Sequence, residues 1–251
     1  MQKIVAANWK MHGNRDTIIG LLQILQQRLD NIETEIEKII FPPFVYIPLV
    51  MELLADSTIY TGSQNLSEYA QGAYTGEVAG SMLADIGCRY VLVGHSERRT
   101  LFAESDEVVA QKFAIAQQNG LVPVLCIGET LAQREAEQTE NVITAQLQSV
   151  LDVVGIEAFA NTVIAYEPVW AIGTGKTAMP EQAQTVHAAI RAFLMLQNGV
   201  IAKGVPLLYG GSVKAENAVE LSEMPDINGA LVGGASLDAD EFAKIIEAFT
   251  N

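Results

Sequence analysis

The chain has 251 residues, 49% of them hydrophobic and 18% charged, which is enough apolar material for a sizeable core and excludes a disordered chain. Thirty Asp and Glu against fifteen Lys and Arg leave a net charge of −15, which argues against a nucleic-acid partner or an anionic membrane, since both need a basic patch. Two cysteines, Cys88 and Cys126, make no disulfide framework and have no metal-ligand spacing, so a reducing, cytoplasmic setting is expected.

The N-terminal apolar run, residues 4–7, is shorter than the ~7–15 residues of a signal-peptide core. The run over 39–51 is broken by Pro42, Pro43 and Pro48 and falls short of the ~20 residues that span a bilayer.

Eight β-branched or apolar runs are predicted as strands: 3–8, 37–41, 58–61, 90–93, 122–126, 162–166, 206–209 and 229–232. Most are continuous rather than alternating, as expected of parallel strands covered on both faces. Amphipathic helices lie between them. Asp16 is placed to cap a helix presenting Ile18, Leu21, Leu22, Leu25 and Leu29 on one face. Ser105 is placed to cap one that runs through Val109 and Phe113 and stops at Asn119-Gly120. Pro180 opens a helix ending at Asn198-Gly199, and Ser236 is placed to cap the last, with Phe242, Ile245, Ile246 and Phe249 facing inward.

Eight strands in this length give a spacing of roughly 31 residues, close to one βαβ unit. No linker or low-complexity stretch divides the chain. The expectation is an α/β fold with a single (β/α)8 barrel over residues 1–251, a doubly wound open sheet being the competitor. In either fold, chemistry collects at the carboxyl ends of the strands. Those ends supply Asn8 and Lys10, Gln64-Asn65, His95 and Glu97, Glu129, Glu167, Gly210-Gly211-Ser212 and Gly233-Gly234. Two glycine pairs after the last two strands, each followed closely by serine, suit a phosphate held by backbone N–H groups, although tight turns alone would use the same residues.

The stretch Gly173-Thr-Gly-Lys-Thr-Ala178 imitates two nucleotide motifs. The P-loop pattern fails because its first glycine falls on Trp170. The dinucleotide fingerprint lacks an acid about 20 residues on, Glu181 being too near and Glu216 too far. A mobile loop entered through Pro168-Val169-Trp170 fits better. His187 lies mid-helix and is read as an ordinary surface or packing residue. Cys126 is read as a small buried hydrophobe.

Several blocks carry a resemblance: Asn8-Trp9-Lys10, Gly72-Ala-Tyr-Thr-Gly-Glu77, Gly94-His-Ser-Glu-Arg-Arg99, Leu125-Cys-Ile-Gly-Glu129, Ala165-Tyr-Glu-Pro-Val-Trp-Ala-Ile-Gly-Thr-Gly-Lys176, Tyr209-Gly-Gly-Ser212 and Leu231-Val-Gly-Gly-Ala-Ser236. In this order, from end to end, the chain resembles the triosephosphate isomerase family. His12 stands where many relatives carry Asn, and Asn228 where Asp is common.

The resemblance implies an aldose–ketose isomerase of glycolysis and gluconeogenesis, an intramolecular oxidoreductase. It would interconvert dihydroxyacetone phosphate and D-glyceraldehyde 3-phosphate through an enediolate, with no cofactor and no metal. Glu167 would be the base. His95 would act as a neutral imidazole beside a positive helix end, and Lys10 as the fixed charge, with Asn8 orienting Lys10 and Glu97 pairing with Lys10 or relaying protons. Asn8, Lys10 and the N–H groups of Gly173, Ser212, Gly233 and Gly234 would bind substrate. A lid from Pro168 to Ala178 would close over it, with Trp170 at the hinge and Glu129 and Tyr209 as its open- and closed-state partners. The loop 64–77 would carry Thr75 into a neighbouring subunit's site, making a homodimer. The alternatives are a barrel that binds phosphorylated ligands without catalysis and another sugar-phosphate isomerase.

Overall fold

The computed structural model describes residues 1–29, 32, 35–171 and 178–250. Eight parallel strands close into a barrel in sequence order: β1 (Ile4–Asn8), β2 (Glu37–Phe41), β3 (Ile59–Ser63), β4 (Tyr90–Val93), β5 (Val122–Ile127), β6 (Val163–Tyr166), β7 (Leu207–Tyr209) and β8 (Gly229–Val232). The ring is shut by β1 pairing with β8 at Ile4↔Gly229, which excludes the open sheet. Each predicted strand is found within two residues at either end.

Around it lie α1 (Arg15–Leu29), α2 (Ile47–Leu53), α3 (Gly80–Asp85), α4 (Ser96–Leu101), α5 (Asp106–Gln118), α6 (Leu131–Glu135), α7 (Thr139–Val154), α8 (Pro180–Gln197), α9 (Gly199–Gly204), α10 (Ala215–Ser222) and α11 (Ala239–Ala248).

Side chains alternate across a strand, so one parity fills the barrel and the other meets the helices. The interior set is Ile4 and Ala6, Ile39 and Phe41, Tyr90 and Leu92, Val124 and Cys126, Val163 and Ala165, Leu208, and Leu231. The outward set, including Val5, Ala7, Ile40, Val91, Val93, Ile164, Tyr166 and Tyr209, packs with the inner helix faces. Continuing the inward parity by one step brings Asn8 after Ile4 and Ala6, and Glu167 after Val163 and Ala165. The pleat itself thus aims these two polar residues into the carboxyl mouth.

Two predicted caps are corrected. Asn14, not Asp16, caps α1: its Oδ1 accepts the Thr17 N–H at 3.0 Å while its own N–H donates to Thr17 Oγ1 at 3.0 Å. Asp16 falls inside the first turn, where it complements the helix dipole. Asp238, not Ser236, caps α11, and the Ser236 hydroxyl donates back to the Gly233 carbonyl instead. In both cases several capping residues stand within three positions, and only the path of the chain selects one. Ser105 caps α5 as predicted.

Candidate active site

The end of β1 turns sharply. Lys10 has φ +50°, a left-handed conformation costing about 1–2 kcal/mol for a residue with a Cβ. Two side chains hold it there. Asn8 Oδ1 accepts the Lys10 N–H at 3.0 Å, and Gln64 Nε2 donates to the carbonyls of Lys10 and Phe41, both at 2.8 Å. The strained turn directs Lys10 Nζ to Glu97 Oε1, 2.5 Å away.

His95 follows β4 and is itself the N-cap of α4, with Nδ1 accepting the Glu97 N–H at 3.3 Å. An accepting Nδ1 carries a lone pair, so the ring proton sits on Nε2. Nε2 lies 2.9 Å from Glu167 Oε1, and the other oxygen of that carboxylate accepts the Ser96 N–H at 2.8 Å.

Burial, the largest single influence, pushes the His95 pKa down. The charge and hydrogen bond of Glu167, together with the charge of Glu97, outweigh burial and Lys10, so the net direction is upward. The upward push comes from a buried carboxylate in direct contact, an influence that acts against burial and against the positive end of the six-residue helix.

Glu167 is 1% exposed. Its backbone is tied to β5 by its N–H donating to the Ile127 carbonyl at 2.7 Å. Across this contact sits Gly128: a Cβ added there would lie 1.8 Å from the Glu167 carbonyl oxygen, so only glycine allows the two strand ends to approach so closely.

A cavity of about 280 Å³ opens here, lined by Asn8, Lys10, His95 and Glu167 on one side and by Ser212, Gly233 and Gly234 on the other. Gly233 is the N-cap of a 3-10 turn, Gly234–Leu237, so this wall offers backbone N–H groups. The predicted Gly173 lies outside the described residues.

Beyond Glu167, buried Pro168 leads into a 3-10 turn, Val169–Ala171. Trp170 Nε1 donates to Glu129 Oε1 at 2.9 Å, and the same carboxylate accepts from Tyr166 Oη and, at 3.1 Å, from Arg134. The Arg134 guanidinium also stacks 4.6 Å over the Trp170 ring. Tyr209 faces Ala178: burial pushes its phenol up to about 12, opposed by the Ala178 amide. Thr75 is exposed and does not line the cavity of its own chain.

The predicted residues Asn8, Lys10, His95, Glu97, Glu167, Ser212, Gly233 and Gly234 thus converge on one mouth. A family model for triosephosphate isomerase matches residues 3–249.

The chain belongs to the triosephosphate isomerase family.

It is similar to the triosephosphate isomerases of Pseudomonas entomophila, at 57% identity over 99% of this chain and 98% of that one, and of Nitrosomonas europaea, at 54% over 98% of each. The triosephosphate isomerase of Nitrosococcus oceani is 53% identical, again over 98% of each chain.

The sequence places Gln64 at a strand end without a role, and it does not mark Ser96 or Arg134 as parts of the site. Gln64 had a signal, since it follows the end of β3. Ser96 had none, because its contact with Glu167 joins residues 71 positions apart whose meeting depends on the barrel, whereas Arg134 lies only five residues after Glu129 on the same connection and its spacing was a local signal.

Proposed function

We propose that this chain interconverts dihydroxyacetone phosphate and D-glyceraldehyde 3-phosphate, with residues 1–251 acting as one domain. The observation that carries the proposal is a buried carboxylate, Glu167, set 2.9 Å from His95 Nε2 at a mouth that also holds Lys10 and the glycine-rich turns.

In the forward direction Glu167 takes the proton from the hydroxylated carbon of the ketose. The C–H electron pair becomes the C=C bond, and the carbonyl π pair moves onto oxygen. That oxygen faces the Nε2–H of His95, which donates to it and passes the proton between the two adjacent oxygens. Glu167 then returns its proton to the neighbouring carbon, so no electrons leave the substrate and no redox carrier is required. Contributions of about 10²–10⁴-fold are expected from acid–base groups placed in this way.

Lys10 offsets the charge that develops on the enediolate. Its locally positive position matters in a chain of net charge −15, where repulsion from distant exposed charges is screened beyond ~8–10 Å. Asn8 supports it through the turn already described, and Glu97 pairs with it and sets the His95 ring. The N–H groups of Ser212, Gly233 and Gly234 bind the phosphate, with Gly173 as a further expected donor. Closure of the segment 168–178, of which 172–177 lie outside the described residues, would exclude water, with Glu129 as the lid's partner through Trp170 in the open state and Tyr209 as its partner in the closed state.

We further propose a homodimer in which Thr75 enters the partner's site. Supporting this, Met11, Val45, Met82 and Phe102 are large apolar side chains left exposed, and Tyr69 and Tyr74 stack at 3.9 Å beside Thr75 on the same exposed loop. Among the described residues no helix is long and apolar enough to cross a membrane, and a cytoplasmic location is proposed on that basis together with the chemistry.

The test is a coupled assay on both triose phosphates with wild type and Glu167→Gln. Turnover by wild type, with most of it lost in the variant while a phosphate-bearing substrate analogue still binds, is the expected result. Wild type that binds triose phosphate without turning it over would replace the proposal with a non-catalytic binding barrel. A dilution series showing full activity in a monomer would remove the dimer.

A further inference from the structure

The third histidine has no part in the chemistry above, yet it lies directly behind it. His187 is on the inner face of α8 and is 0% exposed. Its Nδ1 sits 2.8 Å from the Ala183 carbonyl one turn earlier, so Nδ1 carries a proton and the ring plane is fixed by its own helix.

The ring then meets two tyrosines. It stands edge-on to Tyr166, centroids 5.6 Å apart at 86°, and tilted against Tyr209, 6.4 Å away at 42°. Tyr166 and Tyr209 are register partners at the last rung of β6 and β7. The residue after Tyr166 is Glu167. The residues after Tyr209 are Gly210 and Gly211, and a Cβ added at Gly211 would overlap the Tyr209 hydroxyl. One imidazole therefore backs both strand ends that leave the barrel into the site.

The second link is polar. Tyr166 Oη donates to Glu129 Oε2 at 3.0 Å, and Glu129 in turn holds Trp170, three residues beyond Glu167. A shift of the Tyr166 ring would disturb the root of Glu167 through the backbone and the turn after it through Glu129.

We propose that His187 is a positioning residue: wedged against Tyr166 and Tyr209, it fixes these two rings behind the ends of β6 and β7, and so the pose of Glu167 against His95. The proposal rests on the reading of Glu167 as the base only for its kinetic arm.

The tests are His187→Ala, which removes the ring, and His187→Phe, which keeps an aromatic ring of somewhat larger size and gives up the polar contacts with the Ala183 and Leu208 carbonyls. A misplacement of about 1 Å can cost up to ~10²-fold, and a partial shift is expected here, so kcat should fall about tenfold in His187→Ala with KM changed less than about threefold. In His187→Phe kcat should stay within about twofold of wild type. Independently of turnover, the ring ¹⁵N signals of His95 report the Glu167 contact, and only exposed His12 remains beside it in these variants. The His95 signals should move in His187→Ala and return in His187→Phe. If His187→Ala does not fold, His187→Leu is read in its place. Unchanged kcat and unmoved His95 signals in a folded alanine or leucine variant would overturn the proposal, as would a phenylalanine variant as impaired as the alanine one. Absence of isomerase activity in wild type would instead remove the functional reading, leaving the His95 signals to decide this one.

Discussion

Gly128→Ala and Gly20→Ala are the same chemical change with opposite expected signs. At Gly128 the new Cβ would sit 1.8 Å from the Glu167 carbonyl oxygen, whereas ordinary Cβ–oxygen contacts need about 3.2 Å, so the two strand ends must part by about 1.4 Å. That oxygen is backbone, and the Glu167 N–H is held to the Ile127 carbonyl at 2.7 Å, so no side-chain rotation relieves the overlap. Overpacking of this kind costs about 1–3 kcal/mol of stability. A displacement of about 1 Å at the base should lower kcat by about 10²-fold. Gly20, within α1, would place its Cβ against nothing within 4 Å, so alanine there should stabilise by about 0.5–1 kcal/mol through helix propensity, with kcat unchanged. Urea unfolding of both variants gives the stabilities, and the coupled triose phosphate assay gives kcat and KM. A Gly128→Ala protein with wild-type stability and kcat within twofold would show that the strand ends are not locked together, and the account of how Glu167 is placed would fail.

Burial pushes His187 down to about 4, against opposing influences from the Ala183 and Leu208 carbonyls and Asp226, with Arg191 adding to the lowering and the Tyr166 and Tyr209 rings packed around it. The unfolded chain takes up this proton near pH 6.5, so stability present at pH 7 is lost as pH falls toward 4. The loss is about 3 kcal/mol, which should be absent from the pH 7-to-4 urea series of His187→Phe. Glu167→Gln removes the chief upward influence on His95, leaving burial and Lys10 to act against Glu97, so the His95 pKa should fall; an NMR titration showing it unmoved would contradict the assigned contact. Asn228 Oδ1 accepts from both Arg191, at 2.9 Å, and the Leu207 N–H, at 3.0 Å. Asn228→Asp would turn the Arg191 bond into an ion pair and the Leu207 bond into a charge-assisted one and should raise stability by about 1 kcal/mol in thermal melts at neutral pH, while an unchanged or lower Tm would mean that the pairing of Arg191 with Asp226 already suffices.

The barrel was legible because parallel strands covered on both faces must be apolar throughout, which leaves runs such as 90–93 and 229–232 that no solvent-facing strand would show. The site was legible in outline for a related reason. Polar residues that interrupt such runs at their carboxyl ends, as Asn8 and Glu167 do, have one place to go. Caps were less so: Asn14 and Asp16, or Ser236 and Asp238, are chemically equivalent choices, and the path of the chain decides between them. The direction of the His95 shift was not legible, because Glu167 lies 72 positions away in sequence and meets His95 only across the barrel mouth.

Residue types and their order determined the strand count, the inward parity and which side chains carry protons or charge, since these follow from local burial and the two-residue period of a strand. Closure of the ring decided the rest: the left-handed turn that aims Lys10, the 2.9 Å approach of Glu167 to His95, and the burial of His187 behind two tyrosines. The last two are contacts between segments far apart in the chain, and the turn is braced by Gln64, 54 residues on; such geometry is set by how eight strands pack around a common axis, which no short stretch of sequence encodes.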